Sequence, residues 1–129
     1  MKIQFSLFLT AITLLIAPLP ARAITPATPD LVIEKTTQTS STFWMVKVRN
    51  MGKIDAAATT LKMVATPGGS YTCPVPAIKA GATADVPCRM PFKSRAGMQC
   101  EFILNPDKVV AENNYGNNRT TALTNPKFN

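Results

Sequence analysis

The sequence predicts an all-β chain folded as an antiparallel sandwich of about seven short strands, and three observations carry that prediction. Apolar residues recur with a period of two rather than 3.6, the spacing of half-buried strands. Turn signals interrupt the chain at short intervals, at Asn50-Met51-Gly52, Pro67-Gly68-Gly69 and Ala80-Gly81 among others. The length of 129 residues supports one hydrophobic core and leaves no room for a second.

The elements follow in order. After a Pro/Thr-rich leader, Leu31 to Lys35 is a short apolar strand. In the second strand Trp44, Val46 and Val48 alternate with Met45, Lys47 and Arg49, which puts Trp44 on the buried face as a core residue. Ala57 to Thr66 is the third strand, with Leu61, Met63 and Ala65 on one side and Lys62 on the other, and Tyr71 to Val75 is the fourth. In the fifth, Ala84, Val86, Cys88 and Met90 alternate with Asp85 and Arg89, and Pro87, which has no N–H to donate to a ladder, places this strand at a sheet edge. The sixth turns Met98, Cys100, Phe102 and Leu104 inward, and a polar loop from Asn105 to Asn118 leads to a last strand over Arg119 to Leu123.

The N-terminal segment is of another kind. Lys2, the uncharged apolar run from Phe5 to Ala17, the breakers Pro18 and Pro20, and the small-x-small triplet Ala21-Arg22-Ala23 have the form of a secretory signal peptide. The run between Gln4 and Pro18 is shorter than the roughly 20 apolar residues of a membrane-spanning helix. The expected organisation is a signal peptide over 1–23 cut after Ala23, a leader over 24–29, a domain over 30–124 and a tail over 125–129. The product would be periplasmic or secreted, with no membrane span after cleavage. Loss of Lys2 and Arg22, with no acid, lowers the formal charge from +7 to +5. The remaining cations are dispersed, so no basic run of the kind that binds nucleic acid is present, and the charge leaves only a weak attraction to anionic envelope polymers.

The chain contains no histidine, which excludes serine–histidine and cysteine–histidine nucleophiles and histidine-ligated metals. Cys73, Cys88 and Cys100 are spaced by fifteen and twelve residues, unlike the CxxC pairs of a zinc site, and no base is at hand to activate a thiol. In an exported chain two of the three are expected to pair. Neither a cofactor nor a catalytic residue is assigned.

Four stretches carry a family resemblance. They are Pro29-Asp30-Leu31-Val32-Ile33, Val46 to Gly52, Ile78-Lys79-Ala80-Gly81, and above all the run from Asn105 to Asn118, with its order of Asp107, Val109, Glu112, Asn114 and the paired Asn117-Asn118. Together they resemble the CARDB family, the cell-adhesion-related domain found in bacteria, from about Pro29 to Leu123. Tyr115 stands where that family usually carries a second glutamate, so this loop is less acidic. The resemblance implies an immunoglobulin-like sandwich in exported proteins, often accessory to adhesins or hydrolases, and no shared catalytic activity.

Within the Asn105–Asn118 loop, Asp107 and Glu112 are the weak candidates for calcium, since carboxylates offer it hard oxygen ligands. The favoured reading is structural: asparagine and aspartate bond nearby backbone groups and satisfy the peptide groups of a long connection. Two cysteine pairings are natural. A hairpin turning at Ala80-Gly81 would set Cys73 opposite Cys88, while Cys88 and Cys100 both fall on inward positions. Cys88 with Cys100 is favoured because immunoglobulin-like sandwiches staple their two inner faces in this way.

Three functions are compatible with these features. The first is an exported, non-catalytic binding or adhesion-type module whose partner is a protein or polysaccharide of the cell envelope. The second is a structural accessory subunit of another secreted or surface protein. The third, remote, is a small enzyme built on carboxylates such as Asp85, Glu101, Asp107 and Glu112, although no convergent pair is visible among them.

Overall fold

The computed structural model describes residues 27–128; the signal segment, its cleavage point and the first leader residues lie outside them. Seven strands form two antiparallel sheets: β1 (Leu31–Ser40), β2 (Phe43–Asn50), β3 (Thr59–Thr66), β4 (Ser70–Val75), β5 (Thr83–Arg89), β6 (Gln99–Leu104) and β7 (Arg119–Leu123). One sheet has the order β1-β2-β5 and the other β4-β3-β6-β7. A single 3-10 turn, Pro126–Phe128, follows β7.

Alternation decides which face is buried. Trp44, Val46 and Val48 of β2 and Val86 and Cys88 of β5 meet Leu61, Met63 and Ala65 of β3 and Cys100, Phe102 and Leu104 of β6 in one core. The ring of Trp44 stands edge-on to Phe102 at 5.3 Å between centroids, the geometry that aromatic quadrupoles favour. Met90 and Met98 lie just outside their strands and are buried with the core. β5 is an edge strand, as Pro87 requires. Two strand limits differ from the sequence reading by more than one residue. β1 continues to Ser40 because its polar half pairs with β2 through Gln38↔Trp44 and Ser40↔Phe43. β3 begins at Thr59 because Ala56 instead bridges to Ile78.

The disulfide corrects the favoured pairing. Cys73 of β4 is joined to Cys88 of β5, with Cα atoms 5.5 Å apart, and Cys100 is free and buried. The expected Cys88–Cys100 bond does not form. Cys88 is in register with Trp44, whose ring packs on Phe102, the next inward residue after Cys100, so aromatic side chains fill that part of the core. Cys73 and Cys88 meet without the expected hairpin. The chain does not fold back on itself at Ala80-Gly81 but crosses from the edge of the four-stranded sheet to the edge of the three-stranded one. The bond therefore clasps one open side of the sandwich.

Burial pushes the Cys100 thiol above its usual pKa. A thiol with little thiolate and no access reacts slowly. Iodoacetamide is expected to leave Cys100 unmodified in the native protein and to label it once denaturant is added, which mass spectrometry of the alkylated chain reads directly.

Candidate functional site

Strand direction sorts the connections into two ends. The start of β1 and the β2–β3, β4–β5 and β6–β7 connections lie at one end; the β1–β2, β3–β4 and β5–β6 connections and the segment after β7 lie at the other. The loop singled out by the sequence closes the first end.

Glu112 is the centre of that loop. It is buried, and its two carboxylate oxygens accept three hydrogen bonds: Oε1 from the backbone N–H of Leu31 at 2.6 Å, and Oε2 from Asn105 Nδ2 at 2.8 Å and Asn118 Nδ2 at 2.5 Å. Its own amide N–H donates to the Tyr115 hydroxyl at 3.2 Å. Tyr115, the departure from the family pattern, thus caps the backbone of the central acid, with Lys108 Nζ 4.8 Å above its ring. Asn105 adopts a left-handed φ of 53°, which asparagine tolerates better than most residues. From there Oδ1 accepts from Thr59 Oγ1 at 3.0 Å and from the Val110 N–H at 3.1 Å, while Nδ2 also donates to the Val110 carbonyl at 2.7 Å.

Asn50 forms a second centre. Its Oδ1 accepts from the N–H groups of Asp30 at 3.1 Å and Gly52 at 3.0 Å, and its Nδ2 donates to the carbonyls of Ile54 at 2.8 Å and Ile78 at 3.1 Å. These four bonds use both amide hydrogens and both lone pairs. Gly52 is glycine for a local reason, since a Cβ there would lie 2.6 Å from the Asp30 nitrogen and press on the backbone from Thr28 to Asp30. Asn50 and Glu112 together hold the successive N–H groups of Asp30 and Leu31, so the position where β1 begins is set by the end of β2 and by the polar loop, both remote from it in sequence.

The remaining predicted residues divide plainly. Asn117 donates from Nδ2 to Asp30 Oδ1 at 2.8 Å, and Asn114 Oδ1 accepts from the Gly116 N–H at 2.9 Å in a local turn. The Oδ1 atoms of Asn117 and Asn118 are buried with no hydrogen-bond partner. Asp107 and Asp85 are exposed, and Glu101 is ion-paired with Arg119 at 3.1 Å. Among the described residues no three His, Cys, Asp or Glu side chains are grouped so as to hold a metal ion. Asn50 and Asn105 were not assigned from the sequence; an asparagine at the end of a strand (Asn50) or directly after one (Asn105), before Met51-Gly52 and Pro106-Asp107, was the available signal.

Comparison with known proteins adds the family. The CARDB family model matches residues 28–122, three-quarters of the chain, from before β1 into β7. The chain belongs to the CARDB family. The sandwich is similar to the 272–376 domain of a cell surface protein from Methanosarcina acetivorans, at 20% identity and a TM-score of 0.65 over 75% of this chain and 90% of that one. It is also similar to the CARDB domain of a Pyrococcus furiosus protein solved in complex with di-metal ions, at 18% identity and a TM-score of 0.55 over 73% of this chain and 84% of that one. These likenesses show the fold. No curated protein matches the chain.

Proposed function

We propose that this protein is an exported, non-catalytic binding module of the adhesion type, acting in the bacterial cell envelope or outside the cell. The observation that carries the reading is the use made of Glu112. Among the described residues Glu112 is the buried carboxylate, and its oxygens accept from a backbone N–H and two asparagine amides, which is a structural assignment rather than that of an acid poised for proton transfer. The CARDB fold then serves as a scaffold, and recognition falls to its loop ends and sheet edges.

The sheet edges are the weaker of these two surfaces. β5 carries Pro87, β1 has register shifts between Ile33 and Lys35 and between Gln38 and Ser40, and β7 is five residues long with none buried. Such features discourage the addition of a further strand.

The di-metal complex of the Pyrococcus domain does not transfer to this chain on its residues. Glu112 already accepts three hydrogen bonds across its two oxygens, and Asp107 is exposed. Calcium at millimolar concentration is expected to leave the Tm unchanged in a thermal melt. A calcium-dependent rise, removed by chelator, would restore Asp107 and Glu112 as ligands.

The function is tested by passing the protein recovered from expressing cells over immobilised cell-wall, polysaccharide and envelope-protein fractions at physiological salt, beside a panel of hydrolase substrates. Retention by one fraction and no turnover are expected. Turnover abolished by substitution of Asp85 or Glu112 would contradict the reading.

A further inference from the structure

The two ends of the sandwich differ in charge. Asp30, Asp55, Asp107 and Glu112 all lie at the end closed by the polar loop, together with Lys53, Lys79 and Lys108. The opposite end has no Asp or Glu in any of its connections, and Arg89, Lys93, Arg95 and Lys127 lie there. Both ion pairs among the described residues, Arg49 with Glu34 and Arg119 with Glu101, are made elsewhere.

This cationic end also holds a cavity of about 450 Å³, in the range of small-ligand sites. Pro67, Phe92 and Met98 supply apolar walls, and Lys93 and Arg95 supply charge. The walls are held in place. Phe92 stands edge-on to Tyr71 at 5.7 Å, and a side chain at Gly68 would meet Phe92 Cζ at 2.7 Å, so the ring fits closely over glycine. Between the two cations the buried Ser94 donates its N–H to Ser41 at 2.6 Å and accepts from Gln38 Nε2 at 2.9 Å, while the Arg95 carbonyl accepts from Thr124 Oγ1 at 2.6 Å. The exposed Lys93 and Arg95 are therefore carried on fixed backbone to either side of a buried anchor.

We propose that this cavity binds a carboxylated saccharide of the uronic-acid class. The inference rests on the binding-module reading and names its surface and ligand. A pyranose ring has an apolar C–H face suited to Phe92, Met98 and Pro67, and its carboxylate is matched by Lys93 and Arg95 in charge-assisted hydrogen bonds. Further carboxylates along an acidic polymer meet Arg89 and Lys127 at the same end. A compact cavity with an aromatic wall suits one sugar unit, whereas an extended peptide is captured through a row of free backbone groups along a sheet edge.

The test is isothermal titration of the protein recovered from expressing cells with an oligogalacturonate, with poly-glutamate of matched charge and with neutral dextran. Oligogalacturonate is expected to bind, with poly-glutamate at least about tenfold weaker and dextran without measurable heat. The double variant Lys93→Ala/Arg95→Ala should weaken oligogalacturonate by at least about tenfold, and Lys53→Ala/Lys79→Ala at the other end by less than about twofold. Matching Tm values establish that both variants, altered only at exposed residues, remain folded. Equal affinity for poly-glutamate would overturn the saccharide in favour of an acidic peptide, and equal losses in the two double variants would overturn the location. Absence of oligogalacturonate binding with retention by an envelope fraction intact overturns this proposal alone; absence of both overturns the binding-module reading as well.

Discussion

Replacing Glu112 with alanine is expected to destabilise the domain by roughly 3–5 kcal/mol, the largest effect of any single polar substitution in this chain. The substitution strands three buried donors at once, the Leu31 N–H and the amides of Asn105 and Asn118. Each unsatisfied buried group costs about 1–3 kcal/mol, and the loop can relax around only some of them. For a domain of this size the loss corresponds to a fall in Tm of roughly 15–30 °C. The variant therefore stands near the limit of folding, given a total stability of about 5–15 kcal/mol. Glu112→Gln is the milder probe. It keeps one carbonyl acceptor and turns the other position into a donor that faces a donor, so a loss of about 1–3 kcal/mol is expected. Urea denaturation monitored by Trp44 fluorescence measures both.

The second large effect belongs to the disulfide. Cys73 and Cys88 are separated by 15 positions, and closing a loop of this length removes unfolded-state entropy worth about 3 kcal/mol. Reduction, or the paired substitution Cys73→Ala/Cys88→Ala, is expected to lower stability by roughly 2–4 kcal/mol while leaving the native sheet pairing intact. The bond acts where no backbone ladder does, since β4 and β5 belong to different sheets. Substitution of Cys100 should leave the disulfide untouched. A non-reducing peptide map must show Cys73 linked to Cys88; a Cys88–Cys100 peptide would contradict the structure.

What the sequence made legible was whatever depends on neighbours a few residues apart. Trp44, Val46 and Val48 show their parity without help, and so do Cys100, Phe102 and Leu104; all six are buried as that parity requires. Pro87 marked an edge because its missing N–H is a local fact. The second half of β1 was illegible for the complementary reason. Thr36 to Ser40 has no apolar period, and Gln38 is buried because its amide serves Ser40, Ser94 and Asn125. The disulfide shows the same limit from another side. Parity turns all three cysteines inward, but choosing two of them depends on which sheets β4, β5 and β6 join, a property of topology rather than of spacing.

The polar loop lies between these cases. Its content of Asn, Asp and Glu, together with the family resemblance, singled out Asp107, Glu112, Asn114, Asn117 and Asn118; Glu112, Asn117 and Asn118 join the hydrogen-bond network, whereas Asp107 is exposed. Local habit suggested that such residues bond nearby backbone. Asn114 does so, but the principal acceptor of Glu112 reaches Leu31, 81 positions away, and Asn117 reaches Asp30, 87 positions away. Those partners become visible only when β1 is laid beside the loop. Asn50 went unassigned because a strand-terminal asparagine before a Met-Gly turn looks like turn chemistry alone, whereas its amide ties together three separate segments.

Separating stability from binding at Glu112 tests most directly whether the loop network is structural and recognition lies elsewhere on the sandwich. The measurement is retention of folded Glu112→Gln protein by the envelope fraction that holds the parent chain, normalised to the folded fraction read from its denaturation curve. A variant with a lowered Tm and parental retention per folded molecule is the expected result. A variant with the parental Tm that is no longer retained would place Glu112 in the binding surface and contradict the structural role assigned to it.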